Sequence, residues 1–171
     1  MNKRGFTLIE LLVVISILGV LAAMIVNNLN DSRARARDAR KKQNLNQMKT
    51  ALRLYYNDFQ VYPAAFSSWP LLNYIKGCGA DGDENCPCSG SNNDFASGSD
   101  CETIYMVSFP DGFGNNTIAY YSDNSETFCL KTSLENASDP DIQTSIDQCS
   151  SPCADVGGGV LASPTYAVCA D

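Results

Sequence analysis

An apolar run near the amino terminus, Phe6–Val26, limits the possible folds of this chain more than any other part of the sequence. The run is about 21 residues long and holds one charged side chain, Glu10. As an α-helix it would be roughly 30 Å long, which matches the hydrocarbon core of a bilayer. Inserting one carboxylate costs roughly 3 kcal/mol, and many Leu, Ile, Val and Phe residues, at roughly 0.3 to 0.6 kcal/mol each, outweigh that cost. The run therefore predicts a membrane-spanning helix.

A cleaved secretory signal peptide is the alternative interpretation of this run. Lys3 and Arg4 supply the positive charge that precedes such a peptide. However, the run is longer than the roughly 7 to 15 apolar residues of a signal peptide. A small-residue cleavage site can be placed around Leu21-Ala22-Ala23, but a helical pattern continues beyond it. Composition alone leaves both interpretations open.

Charge and cysteine content divide the chain near residue 78. Residues 6–77 contain nine basic and four acidic side chains, whereas residues 78–171 contain one lysine and fifteen acidic side chains. An even number of cysteines in a small polar domain predicts disulfides and an oxidising compartment, with the pairing left open. The absence of histidine and of paired knuckle spacing argues against structural zinc. The cysteines are Cys78, Cys86, Cys88, Cys101, Cys129, Cys149, Cys153 and Cys169.

The remaining pattern predicts an α+β fold. Apolar residues recur every three or four positions from Leu45 to Phe59, which indicates an amphipathic helix that continues the membrane helix. Alternating residues predict strands at 104–109, 117–122 and 126–133, the last two joined as a hairpin. We expect the long helix to pack on this small antiparallel sheet. Segments 77–101 and 135–171 lack periodicity and are predicted to be loops held by disulfides.

Residues 3–14, with the sequence KRGFTLIELLVV, resemble the leader shared by type IV pilins and type II secretion pseudopilins. Tyr62-Pro63 and the segment 111–115 also resemble features of pseudopilin heads. The resemblance implies four segments: a prepilin leader, a transmembrane and filament-core helix, an amphipathic stem helix, and a cysteine-rich acidic extracytoplasmic head. They cover residues 1–5, 6–26, 27–60 and 61–171.

The resemblance also implies how the segment is processed and used. A prepilin peptidase would cut between Gly5 and Phe6 and methylate the new amino group of Phe6. Glu10 would then neutralise the amino terminus of a neighbouring subunit in a homo-oligomeric filament. The implied partners are the peptidase, an inner-membrane assembly platform and, before assembly, membrane lipid. The implied location is the cell membrane, with a single pass, and then a pilus or pseudopilus at the cell surface or in the periplasm.

The basic run Arg33–Lys42 has two interpretations. It is either a solvated helix face or a surface that contacts the acidic heads of adjacent subunits. Nucleic acid is not an expected partner, because aromatic residues are not interleaved with the basic ones and the head repels phosphate.

No catalytic site is predicted from the sequence. Histidine-based triads are excluded, and no other catalytic constellation is evident, so we expect no enzyme. No cofactor is expected, although Asp81, Asp83 and Glu84 are candidate calcium ligands. Because their spacing is not that of an EF-hand, a solvated acidic loop is the favoured interpretation.

Three functional hypotheses follow from these observations. The preferred one is a structural subunit of a type IV pilus or of a type II secretion pseudopilus. The alternative is a minor tip subunit that acts as an adhesin or binding module through its disulfide-rich head. A third hypothesis is an anchored receptor that is never cut and therefore keeps Met1.

Overall fold

A computed structural model describes most of the chain from residue 6 to residue 170. The described residues are 6–65, 75–78, 84–85, 95–97, 102–110, 118–122 and 126–170, without the side chains of 25–29, 76–77 and 84–85. The chain divides into two compact units, Met1–Arg37 and Asp38–Asp171.

A long helix, α1 (Leu8–Phe59), covers both predicted helical segments as one element. It continues through Gly19 and Asn27. It ends where Gln60 adopts a left-handed backbone conformation with φ of 60°. The Gln60 side-chain amide donates to the carbonyls of Tyr56 and Asn57, so it satisfies acceptors that the end of a helix leaves open. This local arrangement fixes the end of α1 without glycine.

Among the described residues of the second unit, short antiparallel strands form three small sheets. Two are two-stranded, with orders β1-β2 and β3-β4, and the third has the order β5-β6-β7. The pairing of β5 with β6 confirms the predicted hairpin, although its turn at 123–125 lies outside the described residues. The strands are β1 (Lys76–Cys78), β2 (Glu84–Asn85), β3 (Phe95–Ser97), β4 (Thr103–Met106), β5 (Ile118–Tyr121), β6 (Cys129–Ser133) and β7 (Thr165–Cys169).

The three-stranded sheet lies between α1 and a second helix, α2 (Pro140–Asp155). One sheet face packs on the stripe of α1, where Leu45 and Leu52 are buried with Tyr120 and Leu130. The other face carries Cys129, Ala167 and Cys169, which pack with Cys149 and Cys153 of α2. Because successive side chains of a strand point to opposite faces, one strand can serve both layers. The α+β class, the helical stripe and the alternation in the hairpin are confirmed.

The prediction of loops over 77–101 and 135–171 is wrong in part. The first segment contains short strands, and the second contains α2 and β7. Asp139 caps α2 by accepting from the backbone N–H of Asp141, and Pro140 occupies the first turn, where a missing N–H costs nothing. Four buried positions then recur on one side of α2, namely Ile142, Ser145, Cys149 and Cys153.

A run of three glycines ends α2. The backbone N–H of Gly158 donates to the carbonyl of Cys153, and that of Gly157 donates to the carbonyl of Ala154. Gly157 has φ of 79°, a conformation that side chains disfavour. A Cβ at Gly158 would lie 2.8 Å from the carbonyl oxygen of Cys153. These bonds form the glycine-dependent cap that commonly ends helices, so the run has a structural role.

Candidate functional site

The first half of α1 is apolar and exposed around its whole circumference. Phe6 is 78% exposed, Leu8 80% and Leu12 55%, and every described side chain from 6 to 24 is exposed. An amphipathic helix would instead bury one stripe and present polar residues on the other side. This surface therefore needs an apolar environment that the described part of the chain does not supply.

A reciprocal pair of side chains fixes the start of this helix. The Glu10 carboxylate accepts from the Thr7 backbone N–H at 3.0 Å and from the Thr7 hydroxyl at 2.7 Å, in both cases through Oε2. In return, the Thr7 hydroxyl oxygen accepts from the Glu10 N–H at 3.3 Å. This is the capping box expected when threonine precedes glutamate by three positions. The structure thus places Glu10 in the first turn of α1, beside the predicted processing site.

The predicted cut falls at the edge of the described chain. Gly5 lies outside the described residues, and Phe6 is the first residue within them. Within the part whose side chains are described, no helix is both long and apolar enough to cross a membrane. The cleavage position, the methylation of Phe6 and the pairing of Glu10 between subunits stay predictions.

Two disulfides attach α2 to the sheet. Cys129 of β6 is bonded to Cys153, and Cys149 is bonded to Cys169 of β7. Cys78 is also disulfide-bonded. The predicted cysteines Cys86, Cys88 and Cys101 lie outside the described residues. The predicted disulfides are therefore present at the five cysteines that the structure describes.

The calcium candidates fall largely outside the described chain. Asp81 and Asp83 are not described, and only the backbone of Glu84 is, within β2. Among the described residues, no group of His, Cys, Asp or Glu side chains is placed to hold a metal ion. The expectation of a solvated loop, and that of no cofactor, stay predictions.

A buried carboxylate that the sequence did not single out joins α1 to the loop before α2. Asp38 is 1% exposed, and its two oxygens accept from the backbone N–H groups of Glu135 and Asn136 at 2.9 and 2.8 Å. Lys41 donates to the carbonyl of Ser133 at 2.9 Å and lies 3.6 Å from Asp38. Since two backbone donors and a cation surround it, the buried charge of Asp38 is compensated.

Lys42 binds the start of α2 in the same unit. Its ammonium group donates to Asp139 at 2.8 and 2.9 Å and to Asp141 at 2.7 Å. Burial lowers the pKa of Lys42, but the hydrogen bonds to the two carboxylates outweigh it and raise that pKa overall. The bond from Lys42 also lowers the pKa of Asp139, against the smaller opposing effect of burial. Both lysines of the basic run are thus paired with acidic residues of their own chain.

Comparison with known proteins assigns the amino-terminal segment. Residues 1–26 match the family model of the prokaryotic N-terminal methylation motif. The chain carries a prepilin-type segment. The matched residues include the start of α1, where the apolar side chains are exposed. The segment that the motif identifies is therefore the segment whose apolar surface is uncovered in the structure.

Curated relatives of the prepilin-type segment include type IV pilins and type II secretion system proteins. The chain is 39% identical over 61 residues to the type IV major pilin protein PilA of Myxococcus xanthus, covering 36% of this chain and 28% of the relative. It is 31% identical over 83 residues to the type IV major fimbrial protein FimA of Dichelobacter nodosus, covering 48% and 52%. It is 40% identical over 63 residues to the type II secretion system core protein G of Pectobacterium carotovorum, covering 37% and 40%.

The matches concern about a quarter to a half of each relative. The matched parts span 28% of the length of PilA and 53% of another FimA protein of Dichelobacter nodosus. No solved structure matches the chain. The resemblance to pilins and pseudopilins is confirmed for the amino-terminal part.

Proposed function

We propose that this chain is a structural subunit of a type IV pilus-like or type II secretion pseudopilus filament, assembled through the first half of α1. One observation carries the proposal: a methylation motif covers residues 1–26 and so includes the start of a helix whose described side chains up to residue 24 are all exposed. Before assembly, lipid would cover these side chains, and the helices of neighbouring subunits would cover them afterwards. The relatives that carry the same segment are named as filament and secretion proteins, which supports this use.

Maturation in this proposal needs two enzymatic steps on the segment. Prepilin peptidase cuts between Gly5 and Phe6, and the new amino group of Phe6 is methylated. Glycine before the cut leaves the backbone accessible to the peptidase, since it has no side chain to obstruct the approach. An inner-membrane assembly platform then receives the mature subunit.

Glu10 has two roles in this proposal. Within one chain it caps α1 through Oε2, as its bonds to Thr7 indicate. In the filament its carboxylate neutralises the amino terminus at Phe6 of the next subunit, because an unpaired ammonium group in an apolar layer is costly. This pairing would set the stagger between neighbouring α1 helices.

The head lies outside the cytoplasm in this proposal. The bonds Cys129–Cys153 and Cys149–Cys169 hold α2 on the sheet, and such bonds persist in oxidising compartments. The charge of the head agrees with a soluble, exposed domain.

Intact mass measurement in the native host tests the proposal. The full chain is recovered from the membrane fraction and from surface material released by shearing, and its mass is compared with that of Gly5→Leu. Leucine obstructs the cut, so this variant should retain Met1 and be absent from sheared material. Asn2→Ala is the matched control within the leader and should be processed normally.

Each outcome has a defined meaning. A mass that begins at methylated Phe6 in sheared filaments supports a pilus subunit, and the same mass confined to membranes supports a pseudopilus subunit. A wild-type chain that retains Met1 refutes the proposal and favours an anchored receptor. The abundance of the mature chain in filaments separates a repeating subunit from a rare tip protein.

A further inference from the structure

Two arginines of α1, Arg33 and Arg35, differ from Lys41 and Lys42, which follow them on the same helix. Lys41 and Lys42 are bound to acidic residues of their own chain. Arg33 and Arg35 are exposed, and no ion pair involves them within the described residues. Their side chains point to opposite sides of α1, because two helical positions correspond to about 200°. Arg33 shares its side with Arg37, one turn further along.

The acidic residues of the head also differ in whether their partners are cations or neutral groups. Lys42 binds Asp139 and Asp141, and Lys41 lies 3.7 Å from Glu135. Among the described residues of α2, Asp147 accepts only from the amide of Gln143, and Asp155 only from the hydroxyl of Ser151, at 2.8 and 3.4 Å. These two exposed carboxylates therefore have neutral partners, whereas the three carboxylates near the lysines face cations.

Asp147 and Asp155 share a face of α2 that nothing covers in the described chain. The opposite face carries Ile142 and the two bridged cysteines, so it is fixed to the sheet. The ridge of Gln143, Asp147, Ser151 and Asp155 has four-residue spacing, which keeps its members on one side of a helix. A ridge held by two disulfides loses little conformational freedom on binding.

We propose that the outer ridge of α2 in one subunit docks on the Arg33 side of α1 in a second copy of this chain. The partner is chosen by charge complementarity, since this chain presents an exposed arginine side on α1 and an exposed acidic ridge on α2. In the filament, Arg33 pairs with one of the two carboxylates of this ridge, Asp147 or Asp155. The inference rests on the proposed filament function and names the surfaces that meet.

Charge reversal in the full-length protein tests the contact. Arg33→Glu should lower the yield of sheared filaments roughly tenfold relative to the membrane pool, and so should Asp147→Arg combined with Asp155→Arg, because like charges would then face each other. Arg35→Glu on the opposite side of α1 matches the charge change of Arg33→Glu, and Glu102→Lys combined with Glu126→Lys on the head matches that of the two reversed aspartates. Both controls should stay within about twofold of wild type. Combining Arg33→Glu with the reversed aspartates should restore the yield.

Cross-linking in isolated filaments gives a second measurement. A carbodiimide joins a carboxylate to an amine in direct contact, with loss of water. The Arg33→Lys variant should therefore yield a linked peptide between residue 33 and residue 147 or 155. The link between Lys42 and Asp139, which are 2.8 Å apart within one chain, is the internal positive control.

The outcomes separate this inference from the function on which it rests. A wild-type chain that never enters filaments defeats the proposed function itself. Filaments that tolerate both reversals as well as the controls defeat only this contact. A loss caused by Arg33→Glu alone, without restoration by the reversed aspartates, also overturns it and indicates another partner for the arginine, such as an anionic lipid surface.

Discussion

The two units of the chain contain the same kinds of apolar side chain but use them differently. In the first unit Leu12 is 55% exposed, whereas in the second Leu45 and Leu52 of the same helix are 0% and 1% exposed. Burial of apolar area stabilises a fold, so only the second unit gains from its leucines within one chain. The comparison teaches that helix formation and core formation are separate properties of α1. The apolar area of the first unit remains available for an interaction outside the chain.

The largest expected effect contrasts a leucine from each unit. Leu52→Ala should lower the free energy of unfolding of the head by about 2 to 5 kcal/mol, because it leaves a cavity under the sheet. Leu12→Ala should change it by less than about 0.5 kcal/mol, since Leu12 is 55% exposed and does not belong to the core of the head. Chemical denaturation of the detergent-solubilised full chain, followed by near-ultraviolet circular dichroism, measures both. An equal loss of unfolding free energy in the two variants would show that the two leucines contribute equally to the fold.

Two aspartates, one buried in the second unit and one exposed in the first, should also differ in their contribution to stability. Asp38→Asn should destabilise the head by about 1 to 3 kcal/mol, because the amide replaces one of two acceptors with a donor facing a backbone N–H. Asp31→Asn, at an exposed position of the first unit, should have almost no effect. The same denaturation measurement applies. If Asp38→Asn left the free energy of unfolding unchanged, the two backbone donors would have to find other partners.

The smallest expected effect concerns Lys42 and depends on pH. Lys42→Met should cost about 1 kcal/mol at neutral pH, since its ion pairs are partly exposed. The pKa of Asp139 is lowered by folding, so its contribution is present above its ordinary pKa and is lost as pH falls through the lowered value. The pKa of Lys42 is raised, so its contribution is present below its ordinary pKa and is lost as pH rises through the raised value.

The difference between wild type and Lys42→Met should therefore stay constant from about pH 5 to pH 9 and shrink towards both extremes. Unfolding free energies measured across this range give the profile. Arg35→Met is the matched control in the first unit and should show no such profile. A difference that grows below pH 4 would contradict the assigned bonds.

The sequence predicted elements whose signal is local. The stripe from Leu45 to Phe59 and the alternation at Ile118 and Tyr120 each depend on a few consecutive residues, and both were confirmed. The prepilin-type segment is equally local, because its motif occupies consecutive positions. By contrast, α2 was missed, since its buried side includes two cysteines and a serine rather than a run of large apolar residues. Asp139-Pro140 was the available signal for its start.

Contacts between distant residues were beyond local pattern analysis. Lys42 and Asp141 are 99 positions apart, and Asp38 and Asn136 are 98 apart. The basic run suggested only that cations were present, and either a solvated face or an intersubunit surface fitted that pattern. The position of α2 on the sheet determines which of these cations are paired within the chain. The sequence did not predict α2. The pairing of the cysteines was left open for the same reason.

Ser145 protects one edge of the three-stranded sheet, which could otherwise pair with another chain in a crowded assembly. β7 is one of the two outer strands of its sheet, and the hydroxyl oxygen of Ser145 accepts from the outward backbone N–H of Ala167. Unprotected strand edges template pairing between chains, which leads to aggregation. A filament would hold many heads side by side at very high local concentration. Since α2 is attached to β7 by a covalent bond, this protection should persist under shear forces that would peel away a helix held by packing alone.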